Sequence, residues 1–194
     1  YCDGIITFFM ILFGINFNLI YFVAIKKFKA AFKSEELRWY LIIIFASAIA
    51  ISFNILPLYH SIFKAFRYAI FQVGSIITTT GYVTADYGQW PLFSQTILVL
   101  LMFVGACAGP TGGGMKVSRI IIGVKSAIAE MKHMLHPHSV VSVVFEGKHL
   151  SLSTLNNIHV YWVLYFLLFG LSLLFVSLQN IDFNLYEGDF ISVM

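Results

Sequence analysis

Two stretches hold residues whose types and spacing could do chemistry. Residues 77–91, ITTTGYVTADYGQWP, set three consecutive threonines before a glycine and a tyrosine. Hydroxyls, backbone carbonyls and a glycine free to take unusual φ and ψ are what a chain needs to present oxygens to a cation stripped of its water. The competing reading is an ordinary polar loop with chance threonines. Residues 105–116, GACAGPTGGGMK, crowd glycines around Pro110. Glycine clusters can cradle phosphate, but that pattern needs Gly-Lys-Ser/Thr after a strand, and here Met115 separates Gly114 from Lys116. Two readings compete with the phosphate loop: a packing hinge of small residues, and a pliable constriction in a pathway.

The elements that position these stretches follow from the solvent. Hydrophobic residues make up 59% of the chain and charged residues 11%, with a mean hydropathy of +0.86. Soluble domains carry about a quarter charged residues, so this composition belongs in a bilayer. A spanning helix needs about 20 mostly apolar residues. Ile5–Ile25 qualifies, interrupted by Asn16 and Asn18, and so do Trp39–Leu58, the run from Leu92 onward, and Leu155–Leu178. Tyr161, Trp162 and Tyr165 are candidate interfacial anchors of the last span. No basic segment precedes the first span and no small-residue cleavage site follows it, so it does not read as a signal peptide. A chain that starts without Met and stops at Met194 in an unfinished-looking segment reads as part of a longer membrane protein. Cys2 and Cys107 read as free thiols.

Charge placement gives a topology. Lys26, Lys27, Lys29, Lys33 and Arg38 follow the first span, and Lys116, Arg119, Lys125, Lys132 and Lys148 follow the glycine stretch. By the positive-inside rule both clusters face the cytoplasm. Asp3, Asp86, Asp182, Glu187 and Asp189 then fall outside. If the segment before Thr80 and the run from Leu92 each crossed once, the second basic cluster would land outside. Residues 66–77 are too short to span, since 12 residues of helix reach only about 18 Å. The simplest solution is a re-entrant hairpin: a short helix enters from outside, turns, and residues 79–82 climb back. Residues 85–91 then form the outer turn, with Trp90 at the interface and Pro91 opening the next helix. Helix, Thr-Thr-Gly-Tyr and extended exit resemble the filter of a potassium channel, although Val83 stands where that signature has its second glycine. The helix after Pro91 must break at Gly105 and restart near Met115, because glycine and proline in this density cannot continue it. Counted from Pro91, the break falls near mid-membrane, below the proposed filter.

Weaker polar features read as structural. His133, His136 and His138 have metal-like spacing but no nearby Cys or carboxylate, which favours a solvated loop. Residues 145–151, FEGKHLS, read as a short cytoplasmic hairpin around Gly147, with a docking surface for a soluble partner as the alternative. Asn16 and Asn18 read as helix–helix hydrogen-bonding groups, and Lys64 and Arg67 as snorkelling cations ahead of the short helix. No nucleophile–base set converges, so no enzyme activity is indicated.

TTTGYVTADY and WP, followed at this distance by MFVGACAGPTGGGMKVSR, resemble the TrkH branch of the Trk/Ktr/HKT potassium transporters. ILFGINFNLIYF and HPHSVVSV are similar to the same family. The resemblance covers nearly the whole chain. It implies an all-α membrane protein of membrane–pore–membrane repeats, each with a re-entrant pore helix and filter loop, and a broken second helix. It divides the chain into four parts. Residues 1–37 are the last helix of one repeat and a cytoplasmic loop, and 38–132 a complete repeat. Residues 133–154 are a cytoplasmic loop, and 155–194 the first helix of the next repeat with the start of its pore helix from Asp189. Thr79, Thr80, Gly81 and Tyr82 would be one quarter of a potassium filter, with the ion at Thr79 and Thr80. Gly105, Ala106, Cys107, Ala108, Gly109, Pro110, Thr111, Gly112, Gly113 and Gly114 would be the intramembrane gating loop. Two positions depart from the common pattern: Tyr82 stands where Phe is frequent, and Pro110 where Ser is frequent. Potassium is implied as substrate, with no covalent cofactor. The implied partners are membrane lipid, a second copy in a homodimer, and a cytosolic nucleotide-binding regulatory ring, with no nucleic acid. The implied setting is a bacterial inner membrane, crossed several times. Two rivals remain. An ion-coupled (H+ or Na+) secondary cation transporter would need carboxylates inside the spans, and none falls there. A non-conducting membrane subunit would show no potassium flux.

Overall fold

The computed structural model describes residues 2–27, 33–136 and 142–178. His138, Lys29, Asp182, Glu187, Asp189 and the proposed pore-helix start at 189–194 lie outside the described residues. The chain forms two units, residues 1–149 and 150–194.

In the first unit, α1 (Cys2–Phe13) and α2 (Phe17–Ala24) are followed by α3 (Glu35–Tyr59), α4 (Ile62–Ile77), α5 (Leu92–Val104) and α6 (Val117–Leu135). Ser34 starts α3 by accepting the Leu37 N–H on its hydroxyl, and Glu35 and Glu36 sit in the first turn, where the helix dipole favours carboxylates. The helix therefore begins before Trp39, at Glu35. Along α3, Tyr40, Ile44, Ala48, Ile51 and Ile55 recur at helical spacing and are fully buried. They pack against α4, whose Ala65, Ala69 and Val73 let the two backbones approach closely. Leu98 and Leu101 of α5, with Val117 and Ile121 of α6, complete this core. The outward faces are as apolar as the core: Ile42, Phe45, Ile49 and Phe53 of α3 are all exposed. That inversion fits a chain solvated by lipid or covered by further apolar helices.

The second unit contains α7 (Leu152–Leu178), with Tyr161 stacked on Tyr165 at 6.1 Å. Helices α3 and α7 are each long and apolar enough to cross a membrane.

Three expectations need correction. The run from Ile5 to Ile25 is not one helix: α1 and α2 meet at 108°. The cause is local. Asn16 leaves the helical path and its side chain accepts the Asn18 N–H, capping α2. Its role is thus a cap, not a helix–helix bond. Second, Trp90 is buried, and its indole N–H donates to the Tyr59 hydroxyl at 3.2 Å, so it anchors the core rather than an interface. Third, Lys64 and Arg67 lie inside α4, where Arg67 reaches Asp3 at 3.7 Å and stands 5.0 Å over the Tyr68 ring. The hairpin expected around Gly147 is present: β1 (Val144–Phe145) and β2 (Lys148–His149) turn through Glu146 and Gly147, both at positive φ. Glu146 is fastened to the start of α3, as described below.

Candidate functional site

The turn after α4 is built almost entirely by its own residues. The Thr78 hydroxyl donates to Gly74 O at 2.7 Å and pairs with the Thr80 hydroxyl at 2.8 Å. The Thr79 N–H donates to Ile76 O, and the Thr80 N–H to Ser75 O at 2.9 Å. Thr79 and Gly81 both take positive φ, at 56° and 80°. Alternating hands let a short backbone segment turn its carbonyls toward one side. Thr79, Thr80, Gly81 and Tyr82 are all exposed within this chain. A cavity of about 420 Å³ opens beside them, lined by Thr78, Thr80 and Tyr82 on one side and by Phe9 and Phe13 of α1 on another. Pro110, Thr111 and Gly112 of the glycine stretch close it.

That stretch joins α5 to α6 as a loop with a laced neck. The Met115 N–H donates to Phe103 O at 2.9 Å and the Val117 N–H to Ala106 O at 3.1 Å, across the break. Between these bonds Gly105 and Gly114, at φ 70° and 79°, lie back to back. A β-carbon on Gly105 would come within 2.5 Å of Gly113 O, and one on Gly114 within 2.8 Å of Gly105 Cα, so the neck closes only with glycine on both sides.

Loop and turn touch. The Gly113 N–H donates to Thr79 Oγ1 at 3.0 Å, and a β-carbon on Gly112 would lie 3.1 Å from Thr78 O. Thus the two stretches, joined by residues 34 apart in sequence, form one site. Elsewhere the loop is held by other segments. The Cys107 N–H donates to Gly14 O at 3.1 Å, at the bend between α1 and α2. The Ala108 N–H donates to Glu36 Oε1 at 2.7 Å. Lys116 curls back so that its ammonium donates to Pro110 O at 3.1 Å and to Gly112 O. Cys107 is buried and Cys2 exposed, both as free thiols. Pro110 and Ala106 are buried, whereas Gly109 and Thr111 are exposed.

Several of these contacts were not foreseen. Lys116, counted with the cytoplasmic basic cluster, also caps loop carbonyls. Lys125, from the same cluster, pairs with Glu35 at 2.6 Å and donates to Val144 O. Glu36, which the sequence analysis did not single out, is 5% exposed and touches the loop. The sequence signal was present: Ser34 followed by two glutamates is a helix start. Thr78 was passed over for the filter set and lines the cavity beside it. Among the described residues no three His, Cys, Asp or Glu side chains gather to hold a metal. Thr78, Thr80 and Thr111 line the cavity beside the turn.

An oxygen-lined turn seated on a glycine-rich break, in a scaffold with apolar outer faces, defines the class: a helical membrane protein of the cation-transport kind. The TrkH cation transport protein family matches residues 1–188, and the chain belongs to that family. The Trk system potassium uptake protein TrkH of Escherichia coli K12 is 30% identical over 183 residues, 93% of this chain and 38% of that protein. TrkH of Halomonas elongata is 31% identical over 177 residues, covering 90% and 36%. The crystal structure of the potassium transporter TrkH from Vibrio parahaemolyticus matches with a TM-score of 0.83 at 30% identity, over 92% of this chain and 39% of that one. The chain thus spans less than two-fifths of these relatives. Membership makes it a multi-pass protein of the bacterial inner-membrane type.

Proposed function

We propose that this chain supplies one filter turn and the gating loop of a potassium uptake protein. The single observation that supports this most is the Gly113 N–H to Thr79 Oγ1 bond, which seats the glycine loop against the turn. In this reading α4 and the turn form a re-entrant hairpin, and Thr79, Thr80, Gly81 and Tyr82 offer carbonyls to a dehydrated potassium ion. Residues 105–114 lie beneath and block the path when closed. Backbone at membrane depth is tolerated because it is packed in protein and lines a wet cavity. The remaining filter turns come from other repeats. The protein works as a homodimer under a cytosolic nucleotide-binding ring, as a transporter and not an enzyme. The names of the curated relatives, potassium uptake proteins, support the substrate.

The test is potassium and sodium flux into liposomes holding the full-length protein. Gly81→Ser puts a side chain where φ is 80°, so potassium preference over sodium should fall. Unchanged selectivity sinks the filter assignment. One observation favours the ion-coupled reading, the buried Glu36 beside the loop. Uptake that stops when proton and sodium gradients are collapsed, with the potassium gradient kept, would support it.

A further inference from the structure

We propose that Glu36 is the positioning residue that latches the glycine-rich loop, and that Glu146 on the hairpin sets the state of this latch. The proposal rests on the gate reading above and deepens it. The geometry is a chain of three contacts. The Glu36 carboxylate accepts the Ala108 N–H at 2.7 Å, 72 residues away. The same residue's backbone N–H donates to Glu146 Oε1 at 3.1 Å, 110 residues away. The Ser34 hydroxyl, whose oxygen accepts the Leu37 N–H, also donates to Glu146 Oε1, at 2.8 Å. The first turn of α3 is thus gripped from both ends. Glu146 fills its open N–H groups, as a carboxylate at a helix start should, and Glu36 reaches from it to the loop.

Each link has a reason to be charged. A carboxylate–amide bond is stronger than a neutral one, and more so in a buried place. Glu36 is nearly inaccessible, so its carboxylate depends on the Ala108 N–H as much as the loop depends on it. Glu146 sits in a two-residue turn on a two-rung hairpin, whose Phe145 packs against the core of the helical unit, so the hairpin is coupled to the helices it touches. Its outer neighbour Lys125 is paired with Glu35, one residue before Glu36, and also holds Val144 O. Moving the hairpin therefore disturbs the turn that carries Glu36. On the loop's other side, Lys116 holds Pro110 O and Gly112 O, so releasing Ala108 frees one flank while the other stays tied.

The test uses the full-length protein in liposomes, with Cys107 as a built-in reporter and other thiols blocked or replaced. Cys107 is fully buried beside Ala108. Glu36→Met keeps the length and removes the acceptor. It should raise both potassium flux and the rate of Cys107 modification by about tenfold, the factor for losing a charge-assisted hydrogen bond. Glu36→Gln retains an acceptor oxygen and should restore part of the protection. Glu146→Ala should act in the same direction with smaller effect, and the double variant Glu36→Met/Glu146→Ala should exceed Glu36→Met by little, because the two act in series. Wild-type flux and wild-type Cys107 protection in Glu36→Met, or fully additive effects in the double variant, would overturn the proposal. Should Glu36→Met fail to fold, Glu36→Gln and Glu146→Ala decide alone: neither moving Cys107 reactivity rejects the latch. A loop deletion measured in parallel separates the two levels. If the deletion raises flux and the Glu36 variants do not, the latch fails and the gate stands. If the deletion leaves flux unchanged, the gate reading itself fails.

Discussion

The turn after α4 and the break between α5 and α6 are both non-helical, both rich in small residues, and held in opposite ways. The turn is bonded mostly to itself: apart from the Gly113 N–H that reaches Thr79 Oγ1, the hydrogen bonds that shape Thr78 to Gly81 end within six residues. Beyond its neck and the local bonds from the Lys116 ammonium, the loop's tethers come from elsewhere: Gly14, Glu36 and Thr79. A self-bonded turn keeps its shape when neighbouring helices shift. A loop tied to several helices follows them, and can be released by any one. The first is what an ion-coordinating turn requires, the second what a gate requires.

The glycines sharpen this difference, and they set the largest expected effect. Gly105→Ala forces a β-carbon to within 2.5 Å of Gly113 O at a φ of 70°, a clash plus strain of more than ~2 kcal/mol. The neck should part, and potassium flux in liposomes should become constitutive. At Gly81 nothing lies within 4 Å of an added β-carbon and only φ is unfavourable. Gly81→Ala should therefore cost about 1–2 kcal/mol, strain alone, read as a smaller loss of thermal stability in detergent. Equal losses at the two positions would break the comparison.

A middle effect is expected where the two regions meet. Thr79→Val keeps the branched shape and removes the acceptor of the Gly113 N–H. Losing about 1 kcal/mol should raise basal flux roughly fivefold. The smallest effect is expected inside the turn. Thr80→Ala removes one hydroxyl partner of Thr78, which still donates to Gly74 O. Flux should stay within about twofold of wild type, given a net loss of about 0.5 kcal/mol. A larger change for Thr80→Ala than for Thr79→Val would mean the turn depends on its hydroxyls more than the loop depends on the turn.

The same contrast explains what the sequence disclosed. Helices α3 and α7 were legible as apolar runs of spanning length. The end of α5 and the start of α6 were legible because glycine and proline leave a helix no choice. The hairpin at Gly147 was legible from its turn chemistry. All are local signals. The bend at Asn16 was not read, because a single capping Asn competes with an apolar run on both sides and only the backbone shows which wins. Trp90 was misplaced and Glu36 passed over for another reason. An indole beside Pro91 resembles an interfacial anchor, and a Glu between Lys33 and Arg38 resembles surface charge. Their partners, Tyr59 and Ala108, are fixed by tertiary approach. The turn could be proposed from its own residues because its bonds are its own. The loop's tethers could not, because their other ends lie across the fold.

The most direct test of the loop as a movable barrier is potassium flux through a variant lacking Gly109 to Gly113, reconstituted as the full-length protein and shown to be a folded oligomer. The tethers from Glu36, Gly14 and the neck lie outside the deleted segment, so the scaffold should survive. Removing the segment that touches Thr78 and Thr79 should raise flux by about tenfold or more, as expected when a closed state loses its contacts, and should make flux independent of the regulator. A folded variant that conducts no faster than the wild type would contradict the account, because the loop would then be a packing hinge and not the barrier.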